Sequence, residues 1–94
     1  MIKSFADRRT ALLFEGFAHR SLPADVRGRA GDKLAMIDRA ARLDDMRVPP
    51  GNRLEALSGD RQGQHSIRVN DQYRITFRWE GNHAYEVYCE DYHS

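Results

Sequence analysis

An α+β fold, with two helices covering one face of an antiparallel sheet, follows from three observations on the sequence. Apolar residues recur at helical spacing from Val26 to Ala41, and Val48-Pro49-Pro50-Gly51-Asn52 then ends that half of the chain. Beyond it, apolar and polar residues alternate in runs separated by turn residues. A helical half followed by a strand half sets a helix layer against a sheet. The expected order is strand, helix, helix, then four strands in an antiparallel meander, all within one domain spanning 1–94.

Each element has its local reason. Ile2-Lys3-Ser4-Phe5 alternates and reads as a short first strand. Asp7 to Phe17 reads as a helix capped by Asp7, with Leu13, Phe14 and Phe17 on one face. Ser21-Leu22-Pro23 starts the second helix, with Ser21 as candidate cap. Its core stripe is Val26, Ala30, Leu34, Ile37 and Ala41, while Arg29, Asp32, Arg39 and Arg42 lie opposite. Gly28 and Gly31 each cost roughly 1 kcal/mol of helix propensity, which suggests a kink or a close packing partner. After the proline junction come a short strand at Arg53–Leu57, a Gly-rich connection, and a hairpin of His65–Asn70 with Tyr73–Trp79 around Asn70-Asp71-Gln72. The last strand, Ala84–Asp91, follows the turn Glu80-Gly81-Asn82-His83.

Composition narrows the function classes. Fifteen basic residues against fourteen acidic ones, with a mean hydropathy of −0.74, describe a soluble globular chain of cytoplasmic character. The start Met1-Ile-Lys-Ser lacks the apolar core of a signal peptide, and no stretch reaches the length of a membrane span. One cysteine excludes an internal disulfide and a cysteine-rich zinc site. Thirteen of the fifteen cations are arginines, whose planar forks suit phosphate and stack on bases; a GC-rich genome produces the same bias.

Strand alternation sorts these arginines. Ile67 and Val69, then Tyr73, Ile75, Phe77 and Trp79, then Tyr85, Val87 and Cys89 point towards the helices. The open face is left with Ser66, Arg68, Arg74, Thr76 and Arg78 beside Glu86, Tyr88, Glu90 and Tyr92. Cations interleaved with rings fit a phosphate backbone with unstacked bases. An ordinary solvated face laced by ion pairs such as Arg78 with Glu86 accounts for the same pattern, and is the commoner case.

Other chemistries find less support. The histidines show no metal-ligand spacing, Cys89 has the parity of a core residue, and neither a phosphate loop nor a serine elbow is present, so no metal and no cofactor are expected. Glu90-Asp91-Tyr92-His93 instead gathers four titratable groups at a strand end beside the arginine face. Metal-free phosphodiester cleavage needs a base for the 2′-hydroxyl, cations for the phosphorane and an acid for the leaving oxygen. These residues supply such groups, and a solvated tail is the plain alternative.

The ordered set Met1-Ile-Lys-Ser-Phe, Leu54-Glu-Ala-Leu-Ser-Gly-Asp60, Ser66-Ile-Arg-Val-Asn, Tyr73-Arg-Ile-Thr-Phe and Asp91-Tyr92-His93 resembles the HigB toxins of the RelE-like toxin–antitoxin superfamily. The resemblance runs essentially end to end. It implies a microbial-RNase-type fold and a ribosome-dependent endoribonuclease that cleaves mRNA in the ribosomal A site without a metal. It also implies a helix-turn-helix antitoxin of HigA type as partner, with operator DNA reached only through that antitoxin, and no membrane. Arg74 matches the family arginine at the scissile phosphate, and Asp91, Tyr92 and His93 match the C-terminal cleavage residues. Arg53, Arg68, Arg78 and Tyr88 are then the expected RNA-binding side chains.

Two positions depart from the pattern. Many HigB toxins carry His and Lys where this chain has Glu55 and Ser58, and the Asn-Arg-Leu-Glu-x-Leu-Ser-Gly run resembles a subgroup with that change. Losing a lysine removes a fixed cation, so a slower toxin is expected. Glu55 is a candidate general base, given a suitable pKa, and equally a surface carboxylate paired with Arg53 or Arg74. A translation blocker or corepressor that binds ribosome or antitoxin without cutting is the alternative, and a plain protein-interaction domain is a third.

Overall fold

The computed structural model describes residues 1–17 and 20–92. Two helices, α1 (Arg8–Phe14) and α2 (Ala24–Arg39), precede four strands: β1 (Glu55–Ala56), β2 (Gln64–Arg68), β3 (Tyr73–Glu80) and β4 (His83–Asp91). All three pairings are antiparallel, in the order β1-β2-β3-β4, which is the expected meander. The initial segment does not form a strand. It touches β4 through two parallel bridges, Ile2 with Ala84 and Phe5 with Val87.

Asp7 caps α1 by accepting the Thr10 amide at 2.9 Å. The helix stops at Phe14, so Phe17 is exposed and does not join Leu13 and Phe14 on the packed face. At the start of α2 the N-cap is Pro23, not Ser21, with no side-chain cap. The stripe Val26, Ala30, Leu34 and Ile37 is buried as its spacing demands. Its last member is Ala40, not Ala41. The Asp45 carboxylate accepts the Ala41 and Arg42 amides at 2.9 and 3.0 Å, which draws the chain out of the helix into a 3-10 turn at Leu43–Arg47 and leaves Ala41 outside. Those amide bonds hold the Asp45 carboxyl below its ordinary value. No close packing partner requires the helix glycines: a Cβ at Gly28 would meet nothing, and one at Gly31 would sit 3.8 Å from the Leu13 carbonyl, an ordinary contact.

The helix stripe packs on Ile67, Val69, Tyr73, Ile75, Phe77, Ala84, Val87 and Cys89. Burial pushes the Cys89 thiol up to about 11. Asn52, fully buried at the proline junction, accepts from Lys33 and donates to the Met46 carbonyl at 3.1 Å, which ties α2 to the chain entering β1.

One face assignment fails. Thr76 registers with Tyr88 but Arg78 registers with Tyr85, so two residues of β4 oppose Phe77 alone. This bulge, with Glu86 at φ +55°, resets the alternation. Ala84 takes the buried place, and Tyr85 turns to the open face under Arg78, whose guanidinium carbon is 5.0 Å from the ring centre. No helix among the described residues is long and apolar enough to cross a membrane.

Candidate active site

Arg74 is the centre of the open face. Its strand position opposes Arg68 on β2 and Glu90 on β4. The side chain is nearly buried, an unusual place for a guanidinium, and it is held through two of its three nitrogens. Nε donates to Ser66 Oγ at 2.9 Å, and Nη2 donates to the Arg53 carbonyl at 2.6 Å. Arg53 presents that carbonyl from a left-handed backbone conformation (φ +46°), a strained geometry of the kind found at functional sites. Nη1 is turned towards Glu55, whose Oε1 is 3.8 Å away, and the guanidinium carbon is 5.6 Å from the centre of the Tyr92 ring.

A hollow of about 240 Å³ opens above this guanidinium, lined by Arg53, Glu55, Arg68, Asn70, Asp71, Arg74 and Tyr92. Five of the sequence-predicted site residues therefore converge: Arg53, Glu55, Arg68, Arg74 and Tyr92. Glu55 pairs with Arg74 and not with Arg53, because the antiparallel register sets it opposite Ser66, the residue that also orients Arg74. Arg68 is ion-paired with Asp71 of the hairpin turn. Asp91 lies off the hollow, where its Oδ2 accepts from Gln72 Nε2 at 2.9 Å, and the Tyr92 amide bonds the Gln72 carbonyl at 2.7 Å. These contacts fasten the end of β4 to the β2–β3 turn. His93 lies outside the described residues. Ser58 does not line the hollow.

Two predicted RNA contacts stand apart. Arg78 is paired with Glu80 and approaches Glu86 at 3.8 Å; Tyr88 faces a separate hollow further along the sheet. The sequence reading overlooked Arg61, which leaves a 3-10 turn at Gly59–Arg61 and grips Glu90 with both ends of its fork, at 3.0 and 2.8 Å. That grip raises the Arg61 pKa and leaves Glu90, the strand neighbour of Arg74, already matched to a cation. Ser66 and the Arg53 carbonyl were likewise missed as the groups that aim Arg74. The strand register exposes the first, and nothing local signals the second.

A helix pair on a four-stranded antiparallel meander defines a class of small α+β folds, which a chain of the YoeB–YefM complex from Staphylococcus aureus shares. That chain superposes with a TM-score of 0.62 over 100% of this chain and 99% of its own, at 18% identity, a likeness of fold. Residues 3–93 match the model of the RelE-like toxin HigB of type II toxin–antitoxin systems. Endoribonuclease HigB of Proteus vulgaris is 39% identical over 99% of this chain and all of its own length. Toxin HigB-1 of Vibrio cholerae serotype O1 is 42% identical over 77% of this chain and 76% of its own. The chain belongs to the HigB-like toxin family.

Proposed function

We propose that this protein is an endoribonuclease that cleaves mRNA in the ribosomal A site, in the cytoplasm, and so arrests translation until an antitoxin of the HigA helix-turn-helix type binds it. The observation that carries this reading is the Arg74 guanidinium, braced by neutral oxygens at the floor of a hollow that also holds Glu55 and Tyr92. A cation fixed before substrate arrives stabilises the developing phosphorane without reorganising. Likeness along the whole chain to a protein named an endoribonuclease adds to it.

In the proposed reaction Arg74, helped by Arg68, polarises the scissile phosphate. Glu55 or His93 takes the 2′-hydroxyl proton; the 2′-oxygen bonds to phosphorus, the bond to the 5′-oxygen breaks, and Tyr92 or His93 protonates that oxygen. The products are a 2′,3′-cyclic phosphate and a 5′-hydroxyl. Arg53 contacts the backbone, Tyr88 and Arg78 meet the strand further along, and Asp91 holds the end of β4 in place. So small a site needs the ribosome to impose substrate geometry.

Adding the protein to translating ribosomes and mapping mRNA 5′ ends tests this. Cuts within the A-site codon that vanish with Arg74→Ala are expected, and uncut mRNA would defeat the reading. Stalled ribosomes on intact mRNA would favour a translation blocker, a second reading supported by the placement of Ser58 off the hollow and the commitment of Arg68 to Asp71. A paired Glu55→His, Ser58→Lys variant is expected to arrest translation more strongly, and equal potency would remove the idea of a slowed subgroup.

A further inference from the structure

The Tyr92 ring reaches the Arg74 pocket from beyond the end of the sheet. The last pair of the β3–β4 ladder is Tyr73 with Asp91, so Tyr92 is the first residue past it. Its amide donates to the Gln72 carbonyl at 2.7 Å. The Gln72 side chain makes a second hold one residue earlier, where Nε2 donates to Asp91 Oδ2 at 2.9 Å. The amide nitrogen is the end turned to Asp91, because a carboxylate only accepts. Gln72 does not line the hollow, yet it grips the chain on both sides of the Asp91–Tyr92 peptide. The ring so delivered stands with its centre 5.6 Å from the Arg74 guanidinium carbon.

Gln72 is itself fixed from the helix side. Asn70 Oδ1 accepts the Gln72 and Tyr73 amides at 2.9 and 2.7 Å, which closes the β2–β3 turn on its own side chain. Asn70 Nδ2 donates to Asp25 Oδ2 at 3.1 Å, in the first turn of α2. A line of hydrogen bonds therefore runs from α2 through the turn to the end of β4. The Asn70 bonds shape the turn; the Gln72–Asp91 bond acts on a different strand, and what it sets is the place of the Tyr92 ring.

We propose that Gln72 is a positioning residue, acting through Asp91 to hold Tyr92 over Arg74, and that the Asp91 carboxylate serves as its acceptor and carries no proton in the cleavage. The consequence for cutting rests on the ribonuclease reading; the placement of the ring does not. A group misplaced by about 1 Å from the reacting atoms can cost about 100-fold in rate. Gln72→Glu sets two carboxylates where a donor and an acceptor now meet, and like charges push the chain end away. Gln72→Ala removes one hold and leaves the backbone bond, so it disturbs the ring less.

The test is a swap: Gln72→Glu, Gln72→Ala, and Gln72→Glu combined with Asp91→Asn, which exchanges donor and acceptor and keeps the bond. On programmed ribosomes the single-turnover cutting rate at saturating protein should fall about tenfold or more in Gln72→Glu and about threefold in Gln72→Ala. The protein concentration for half-maximal cutting should stay within about twofold, since the step affected is the reaction and not binding. The double variant should return to within about threefold of the parent, a coupling that independent losses would not give. In NMR spectra of the free chain, the Tyr92 ring and Arg74 Nε–H resonances should shift in Gln72→Glu and return in the double variant, with the remaining signals superposing on the parent. An unchanged rate in Gln72→Glu, ring resonances that stay in place, or a loss that the swap leaves unrepaired would each overturn the proposal. A swap that restores the ring but not the rate would overturn it too, by making the Asp91 carboxyl a reacting group. A parent chain that leaves mRNA uncut would remove the ribonuclease reading instead, and the ring resonances alone would then decide whether Gln72 places Tyr92.

Discussion

Arg74 and Arg78 stand four residues apart on one strand and one face, yet their surroundings differ in kind. The Arg74 side chain is 10% exposed and leans on a hydroxyl and a carbonyl, uncharged groups that fix its direction, with the Glu55 carboxylate 3.8 Å away at the rim of the hollow. The Arg78 side chain is 35% exposed, lies over Tyr85, and is flanked by the carboxylates of Glu80 and Glu86. Strand parity made them equivalent. What separates them is bracing: Arg74 is buried and aimed by a hydroxyl and a backbone carbonyl, with one carboxylate nearby, while Arg78 is more exposed, lies between two carboxylates and has no such brace among the described residues.

The largest expected effect tests that contrast directly. Arg74→Lys keeps a charge but loses the fork held by Ser66 and Arg53, and should lower mRNA cutting by about 100-fold or more. Arg78→Lys should change it by no more than about threefold, as expected for an exposed paired cation. Comparable losses in the two variants, read from 5′-end mapping, would break the comparison.

Stability should divide the same way. Arg74→Ala leaves the Ser66 hydroxyl and the Arg53 carbonyl without their donor at a nearly buried site, and should cost about 1–3 kcal/mol in urea unfolding. Arg78→Ala should cost less than about 1 kcal/mol.

The helix-covered face sharpens the contrast with smaller, pH-dependent effects. His65 is half-buried against Phe77, with ring centres 6.2 Å apart, and burial with the nearby Arg47 charge lowers its pKa. The unfolded chain therefore binds the proton more readily, so stability should fall as pH drops through and below 6.5, and less so in His65→Asn. Cys89 has the opposite sign. Its thiol is favoured in the fold, so its contribution is complete below pH 9 and should be lost as pH rises towards 11. In the folded chain it should resist alkylation at neutral pH, which a thiol-reagent time course would check.

Much of this was legible from local pattern. The stripe Val26, Ala30, Leu34 and Ile37 is buried, and the Asn70-Asp71-Gln72 turn and the alternation along β2 and β3 stand where their residues put them. Asp7 caps its helix. The site was partly legible as a face: Arg68, Arg74 and Tyr92 meet because antiparallel register follows from those turns, while Glu55, which joins them, was marked only by the family resemblance. Failures came where an element ended or slipped. Ala41 lost its place to Ala40 because Asp45 recaptured the chain, and Tyr85 changed face because a bulge is invisible to a period of two.

The sequence by itself determined which residues share a helix stripe and which share a strand face, since both depend on backbone periods of 3.6 and 2 that act within a few residues. Tertiary structure alone decided how those residues are used. Ser4 sets the bulge from 82 positions away, the Arg53 carbonyl braces Arg74 across 21, and Arg61 meets Glu90 across 29. Each is a hydrogen bond between segments that share no local pattern, made only once the chain has folded and brought them within 3 Å of one another.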